Sequence, residues 1–147
     1  MAGSFSLDLR RFVQRAGANA AAVERKVVLD VGTRIVEKTP VGDPSRWSMP
    51  APAGYVGGRA RGAWQYAQGG PVAVEPGTID GSGQASINRI AAGVAGASGA
   101  DHYITNSVPY IRRLEYDGWS GQAPEGMVRI TIEEYQQIVA RAVGDLP

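Results

Sequence analysis

Cysteine is missing from the 147 residues, and histidine occurs once, at His102. The first absence excludes disulfides, thiol catalysis and cysteine-ligated zinc together. The second excludes any metal site built from several histidines. No apolar run approaches the roughly eighteen residues of a membrane-spanning helix. The N-terminal MAGSFSLDLRRFVQR carries Asp8 and three arginines where a signal peptide needs an unbroken apolar stretch. A protein made in the cytoplasm, with no membrane partner, is expected. A dominant charge sign is missing too: the net charge is +1, without a basic run, short of the excess usual in nucleic-acid binders.

What charge there is runs along a gradient. Residues 1–39 carry seven bases and four acids, residues 86–147 five bases and seven acids. Thirteen of the fifteen bases are arginine, whose planar fork pairs bidentately and stacks on aromatics, and so suits ordered interfaces. A GC-rich genome produces the same bias.

The length points to one domain over residues 1–147, large enough to bury a substantial core. Leu9, Phe12, Ala16, Ala20, Val23, Val27, Val31 and Ile35 recur every three or four positions, which predicts a long helix over residues 7–38. Ser6 is its expected N-cap, Gly17 and Gly32 are candidate bends, and Thr39-Pro40 ends it, because a residue before proline avoids the α region. Residues 41–85 form a loop-rich segment dense in glycine and proline. Within it, GRARGAWQYAQ (58–68) and PVAVEP (71–76) are strand candidates, and Gly81-Ser82-Gly83 reads as a linker. The segment is either an ordinary meander or a set of loops that order against a partner. ASINRIAAGVA (85–95) predicts a short helix, HYITN (102–106) a strand, and Pro109 a helical turn closed by Asp117-Gly118. The last helix is expected from Pro124, with a stripe of Val128, Thr131/Ile132, Tyr135, Ile138/Val139, Ala142 and Leu146. The fold class is α+β: a long N-terminal helix and a C-terminal helix on a small, mainly antiparallel sheet, with long Gly/Pro-rich loops.

No residue set carries recognisable chemistry. Gly93 to Gly99 has the spacing GxxGxxG, not the GxGxxG of a dinucleotide loop, and follows a helix. His102, Asp101 and Ser98 are sequence neighbours, which rarely adopt triad geometry, so His102 is expected on the surface of its strand. Glu133 and Glu134 point about 100° apart on a helix. Glu115 and Asp117 are too few oxygens for a metal. The chain is expected to be no enzyme, with no cofactor and no metal.

Five motifs in order give the chain a resemblance. They are Lys38-Thr39-Pro40-Val41, Gly58-Arg59-Ala60-Arg61-Gly62-Ala63-Trp64, Asn106-Ser107-Val108-Pro109-Tyr110, Leu114-Glu115-Tyr116-Asp117-Gly118, and Ala123-Pro124-Glu125-Gly126-Met127-Val128-Arg129. With these the chain resembles the tail-completion, or minor tail, proteins of long-tailed bacteriophages, the family that includes lambda protein Z. It departs from them by an insertion, roughly Gly42 to Tyr55, which carries Trp47 and three prolines. The resemblance implies a structural virion protein of the neck, which completes the tail and joins it to the head, assembled in the cytoplasm of the host bacterium. It further implies a closed ring of this chain, expected to be hexameric, around a channel through which genomic DNA passes without sequence-specific binding. Its other partners are then the tail terminator and the head-closure or adaptor proteins. The alternative is a small nucleic-acid-binding module using the face of Arg10, Arg11, Arg15, Arg25 and Lys26.

In the stretch 106–128, Tyr110, Leu114 and Tyr116 are expected to anchor a structural turn, since Tyr110 and Leu114 share a helix face. Glu115 is expected to hold a neighbouring loop through backbone N–H groups, and Gly118 to let the chain reverse. Arg112 and Arg113 point away from that face. Together with Trp47, Arg10 and Arg11 they are the interface candidates.

Overall fold

The computed structural model describes residues 2–97 and 99–145; of residues 2–13, 15 and 16 it describes the helical backbone alone. Helix α1 runs unbroken over Ala2–Lys38. Ser6 therefore lies within the helix and is not its N-cap, while the side chains of Leu9, Phe12 and Ala16 lie outside the described residues, as does Leu146. From Val23 on, the predicted stripe is where the two cores form; Ala20, its other described member, is exposed. Val27 and Ile35 are buried, as is Val36 beside the stripe, and Val23 and Val31 are partly buried against them. Gly32 is not a bend. A Cβ there would stand 3.0 Å from Ile90 and 3.2 Å from Ile104, so its small size lets these two side chains approach the helix backbone.

A 3-10 turn at Pro44–Arg46 opens the inserted loop. Then follow α2 (Arg59–Gly62), β1 (Trp64–Gln68), α3 (Gln84–Ala95), β2 (His102–Asn106), α4 (Ile111–Tyr116), α5 (Val128–Glu133) and α6 (Tyr135–Gly144). β1 and β2 form a two-stranded antiparallel sheet in which Trp64 faces Asn106, Tyr66 faces Ile104 and Gln68 faces His102. The fold is α+β. Trp64, Tyr66 and Ile104 share one sheet face and pack into the core with Ile35, Val36, Ile90, Val94, Leu114 and Met127. Val27, Ile138 and Ala142 form a second, smaller core where α6 lies along α1. Among the described residues, no helix is long and apolar enough to cross a membrane.

Several local expectations are corrected. Residues 59–62 form a helical turn, so the strand around Trp64 starts at Trp64 itself. PVAVEP joins no ladder. Instead its carbonyls are taken by side chains: Val72 O accepts from Thr105 and Ser107, and Val74 O from Gln65. Gly81-Ser82-Gly83 is a built turn, not a linker. The Asp80 carboxylate accepts from the Ser82 and Ala85 amides and so caps the start of α3. These bonds, led by the Ser82 hydroxyl, hold the Asp80 carboxyl below its usual range.

The last helix begins at Val128, four residues after Pro124, and breaks at Glu134. At the break, the Glu134 carboxylate reaches α1. It accepts from Arg34 Nε at 2.9 Å, Arg34 Nη2 at 3.1 Å and Lys38 Nζ at 2.9 Å. Across α5 and α6, Thr131, Ile138 and Ala142 are buried, while Ile132 and Tyr135 of the predicted stripe face outward.

Candidate interface

The five sequence motifs, spread from Lys38 to Arg129, meet in space as joints between elements. At the end of α1, Thr39 Oγ1 donates to Ile35 O at 2.7 Å and accepts from Trp64 Nε1 at 2.8 Å. Arg61 donates to Thr39 O, Glu37 O and Gly81 O. A cation thus satisfies carbonyls left open at the helix C-terminus, where the dipole favours it. Asn106 locks the next joint: its side chain donates to Ala60 O at 2.8 Å and accepts from Val108 N at 3.1 Å. Arg89, outside the motifs, fills the open edge of β1 by donating to Trp64 O and Gly62 O.

The joint centred on Glu115 is the most complete. Glu115 is buried, and its carboxylate accepts from the backbone N–H of Met127 at 2.8 Å, Val128 at 2.9 Å and Arg129 at 2.9 Å. These are three of the four amides left without partners at the start of α5. The Arg129 side chain reaches back to the Glu115 carboxylate at 3.3 Å and also to its main-chain oxygen. Burial pushes the Glu115 carboxyl up, but the three amides and Arg129 outweigh it and hold the group below the usual carboxylate range. Gly126 makes the approach possible: its φ is +89°, and a Cβ there would stand 2.6 Å from Glu115 O.

These joints frame a cleft of about 1150 Å³ between the inserted loop and the stretch 110–122. Gln122 ties the two sides, donating to Val41 O at 2.8 Å and accepting from Val41 N at 3.2 Å. Leu114 is buried beneath it, and Tyr110 is half-buried. Trp47, 42% exposed, packs edge-on against Tyr55 with ring centroids 4.8 Å apart. Trp119 leans on Tyr110 at 5.7 Å. Arg113 is exposed and lies 5.6 Å over the Trp119 ring; Arg112, also exposed, lies 5.9 Å over Tyr116. Arg59 lies over Tyr110 and forms a two-bond pair with Glu75. Gly118, at φ +59°, turns the chain between α4 and the Trp119 segment, a conformation that favours glycine.

Of the turn residues, Leu114 and Glu115 are buried and Tyr110 packs against the core. Tyr116 does not anchor: it is 60% exposed and serves as a platform for Arg112 and Arg129. Of the interface candidates, Trp47 lines the cleft and Arg113 stands beside it over the lining Trp119, while Arg112 lies over Tyr116, which is not part of the lining. The side chains of Arg10 and Arg11, like that of Arg15, lie outside the described residues. Lys26, on the basic face, is paired with Asp30 at 2.9 Å.

His102 departs from its expected place. It is partly buried, with Nδ1 at 2.6 Å from the Tyr66 hydroxyl and Nε2 at 2.5 Å from Glu24. It ties α1 to the sheet instead of facing solvent. Compared with known proteins, the chain matches no family model, no curated protein and no solved structure.

Proposed function

We propose that the chain is a structural subunit of the neck of a long-tailed phage, which completes the tail and joins it to the head as part of a ring around the DNA channel. The observation that carries this reading is the meeting of the motifs behind the resemblance. Thr39 with Arg61 and Trp64, Asn106 with Ala60, and Glu115 with Met127, Val128 and Arg129 are direct partners. Motifs that are weak one by one thus act together as joints of one fold, which supports the reading. The surface supports the reading as well. Trp, Tyr, Met and Arg are enriched in the cores of protein contacts, and here Trp47, Met49, Tyr55 and Trp119 stand exposed around one cleft beside Arg113.

In this reading the protein is no enzyme. It is a virion component assembled in the host cytoplasm. Its partners are copies of itself, the tail terminator and the head-closure or adaptor proteins, and DNA passes without sequence-specific contacts. The test is to remove the gene from a phage that carries it and to view the particles by electron microscopy. Filled heads and separate, uncompleted tails are expected, and the gene supplied in trans restores joining. Infectious, fully joined particles in its absence would overturn the reading.

A further inference from the structure

Most of the exposed large apolar residues, Val74 and Tyr116 apart, fall into two separate patches. One surrounds the cleft and is concave, with Trp47, Tyr55 and Trp119 as its main surfaces. The other is a stripe along α5 and α6, where Ile132, Tyr135 and Val143 are 64%, 50% and 53% exposed. These residues recur at helical spacing along a side of the helices that flanks the line of the buried Thr131, Ile138 and Ala142. The stripe is convex, as a helix face is, and apolar helix faces seat in apolar grooves.

The charges at the two patches are opposite. At the cleft stands Arg113, exposed, with a ring contact to Trp119 and no carboxylate partner among the described residues. Beside the stripe stands Glu133, exposed and without a partner among the described residues. Its neighbour Glu134 is fully engaged with Arg34 and Lys38, and so is not available to a second chain. A monomer with these patches has an unpaired cation at an aromatic groove and an unpaired anion at an apolar ridge.

We infer that the two patches bind each other between copies of this chain: the α5–α6 stripe of one subunit seats in the cleft of the next, with Glu133 meeting Arg113. Two different surfaces in contact make a head-to-tail, heterologous interface, the kind that closes into a ring when the rotation per subunit permits. This inference rests on the ring reading above and gives that ring its contact surfaces. Opposite charges at the rim select the register and penalise the wrong partner.

The experiment uses the full-length chain and three variants, Arg113→Glu, Glu133→Arg and the two combined, followed by sedimentation velocity over a concentration series. Both residues are exposed and outside the joints, so unchanged melting curves verify the fold of each variant. Wild type is expected to self-associate. Each single variant places like charges together and should lose at least tenfold in association constant, a loss of about 1.4 kcal/mol. The combined variant should recover it. An equimolar mixture of the two single variants should recover it as well, because alternating subunits then meet with opposite charges at every contact. Wild-type assembly with the single variants unaffected would overturn these surfaces and leave the ring reading intact. A wild type that stays monomeric up to about 1 mM, with no recovery in the mixture, would overturn both. Tight binding of a single-stranded oligonucleotide that is lost on Arg113→Glu, without self-association, would assign the cleft to nucleic acid and overturn the inference.

Discussion

Replacing Glu115 by alanine removes the shared acceptor of the α4–α5 joint. Three backbone N–H groups lose their partner at once, those of Met127, Val128 and Arg129. Met127 N–H is buried and cannot recruit water, so its loss carries the full cost of about 1–3 kcal/mol for an unmet buried donor. Val128 is partly buried and Arg129 exposed, so water recovers part of each bond. Arg129 keeps its main-chain acceptor but loses its ion pair. Together these give about 3–5 kcal/mol, the usual loss on breaking a buried, hydrogen-bonded charge. For a chain of this size, each kcal/mol moves the melting temperature by about 2–4 °C. Glu115→Ala should therefore melt about 6–20 °C lower by circular dichroism. Glu115→Gln, which keeps one carbonyl oxygen but no charge, should lose about half as much.

The sign with pH follows from the depressed carboxyl. Its contribution is present above the ordinary glutamate value, about 4.3, and is lost as pH falls through the lower folded value. Glu115→Gln should thus flatten the acid limb of the stability curve. An alanine variant that melts within about 2 °C of wild type would refute the account of this joint.

Leu114→Ala should destabilise the fold by about 2–5 kcal/mol, the range for a core leucine, and an unchanged denaturation midpoint would show that α4 is not core. Glu134 is held at about 2, first by its hydrogen bonds to Arg34 and Lys38. Its stabilising effect should be full above about pH 5, near the unfolded glutamate value, and fall away as pH drops toward 2. Acid titration of wild type against Glu134→Gln checks this, and parallel curves would refute it. In the inserted loop, the amides of Arg46, Trp47 and Tyr55 donate to Asp43, Pro44 and Pro52 carbonyls, and Ser45 donates to the Asp43 side chain. The amides of Ser48, Met49, Ala51, Ala53, Gly54 and Val56 should exchange quickly in the isolated chain and become protected in the assembled particle. Full protection in the isolated chain would refute partner contact by this loop.

The elements set by local pattern were legible: α1 from its three-and-four spacing, α3 from Ile87, Ile90 and Val94, and β2 from its alternation. Elements set by distant partners were not. Residues 59–62 read as the start of a strand because Ala60, Gly62 and Trp64 alternate. They form a helical turn, which brings Arg61 to carbonyls at the end of α1 more than twenty residues away. PVAVEP has strand composition, but its neighbours supply side-chain donors where a ladder would need backbone amides. Glu134, at the break, is paired with two cations on α1, which no local window contains. At the candidate interface, the exposure of Arg112 and Arg113 followed from the helix face opposite Leu114. The cleft itself did not, since it exists only once the inserted loop and the 110–122 stretch are tied by Gln122 and Val41.

The joints and the two patches consequently answer to different forces. Thr39, Arg61, Trp64, Asn106, Glu115 and Gly126 act within the chain, and a change at any of them falls on stability. Trp47, Arg113, Ile132 and Glu133 lie exposed at the surface, Trp47 against Tyr55 and Arg113 over Trp119, and Arg113 and Glu133 have no carboxylate or cation partner among the described residues. Apolar and aromatic side chains held in water at fixed positions on a rigid frame carry little folding energy; their burial stabilises something only when a second surface covers them. Substitutions in the first group should shift melting and association together, because the frame that holds the patches loosens. Those in the second should shift association alone. Measuring both quantities on one set of variants separates a subunit built for assembly from a monomer that merely exposes a few aromatics. In the second case, no substitution at Trp47, Arg113 or Glu133 would move either one.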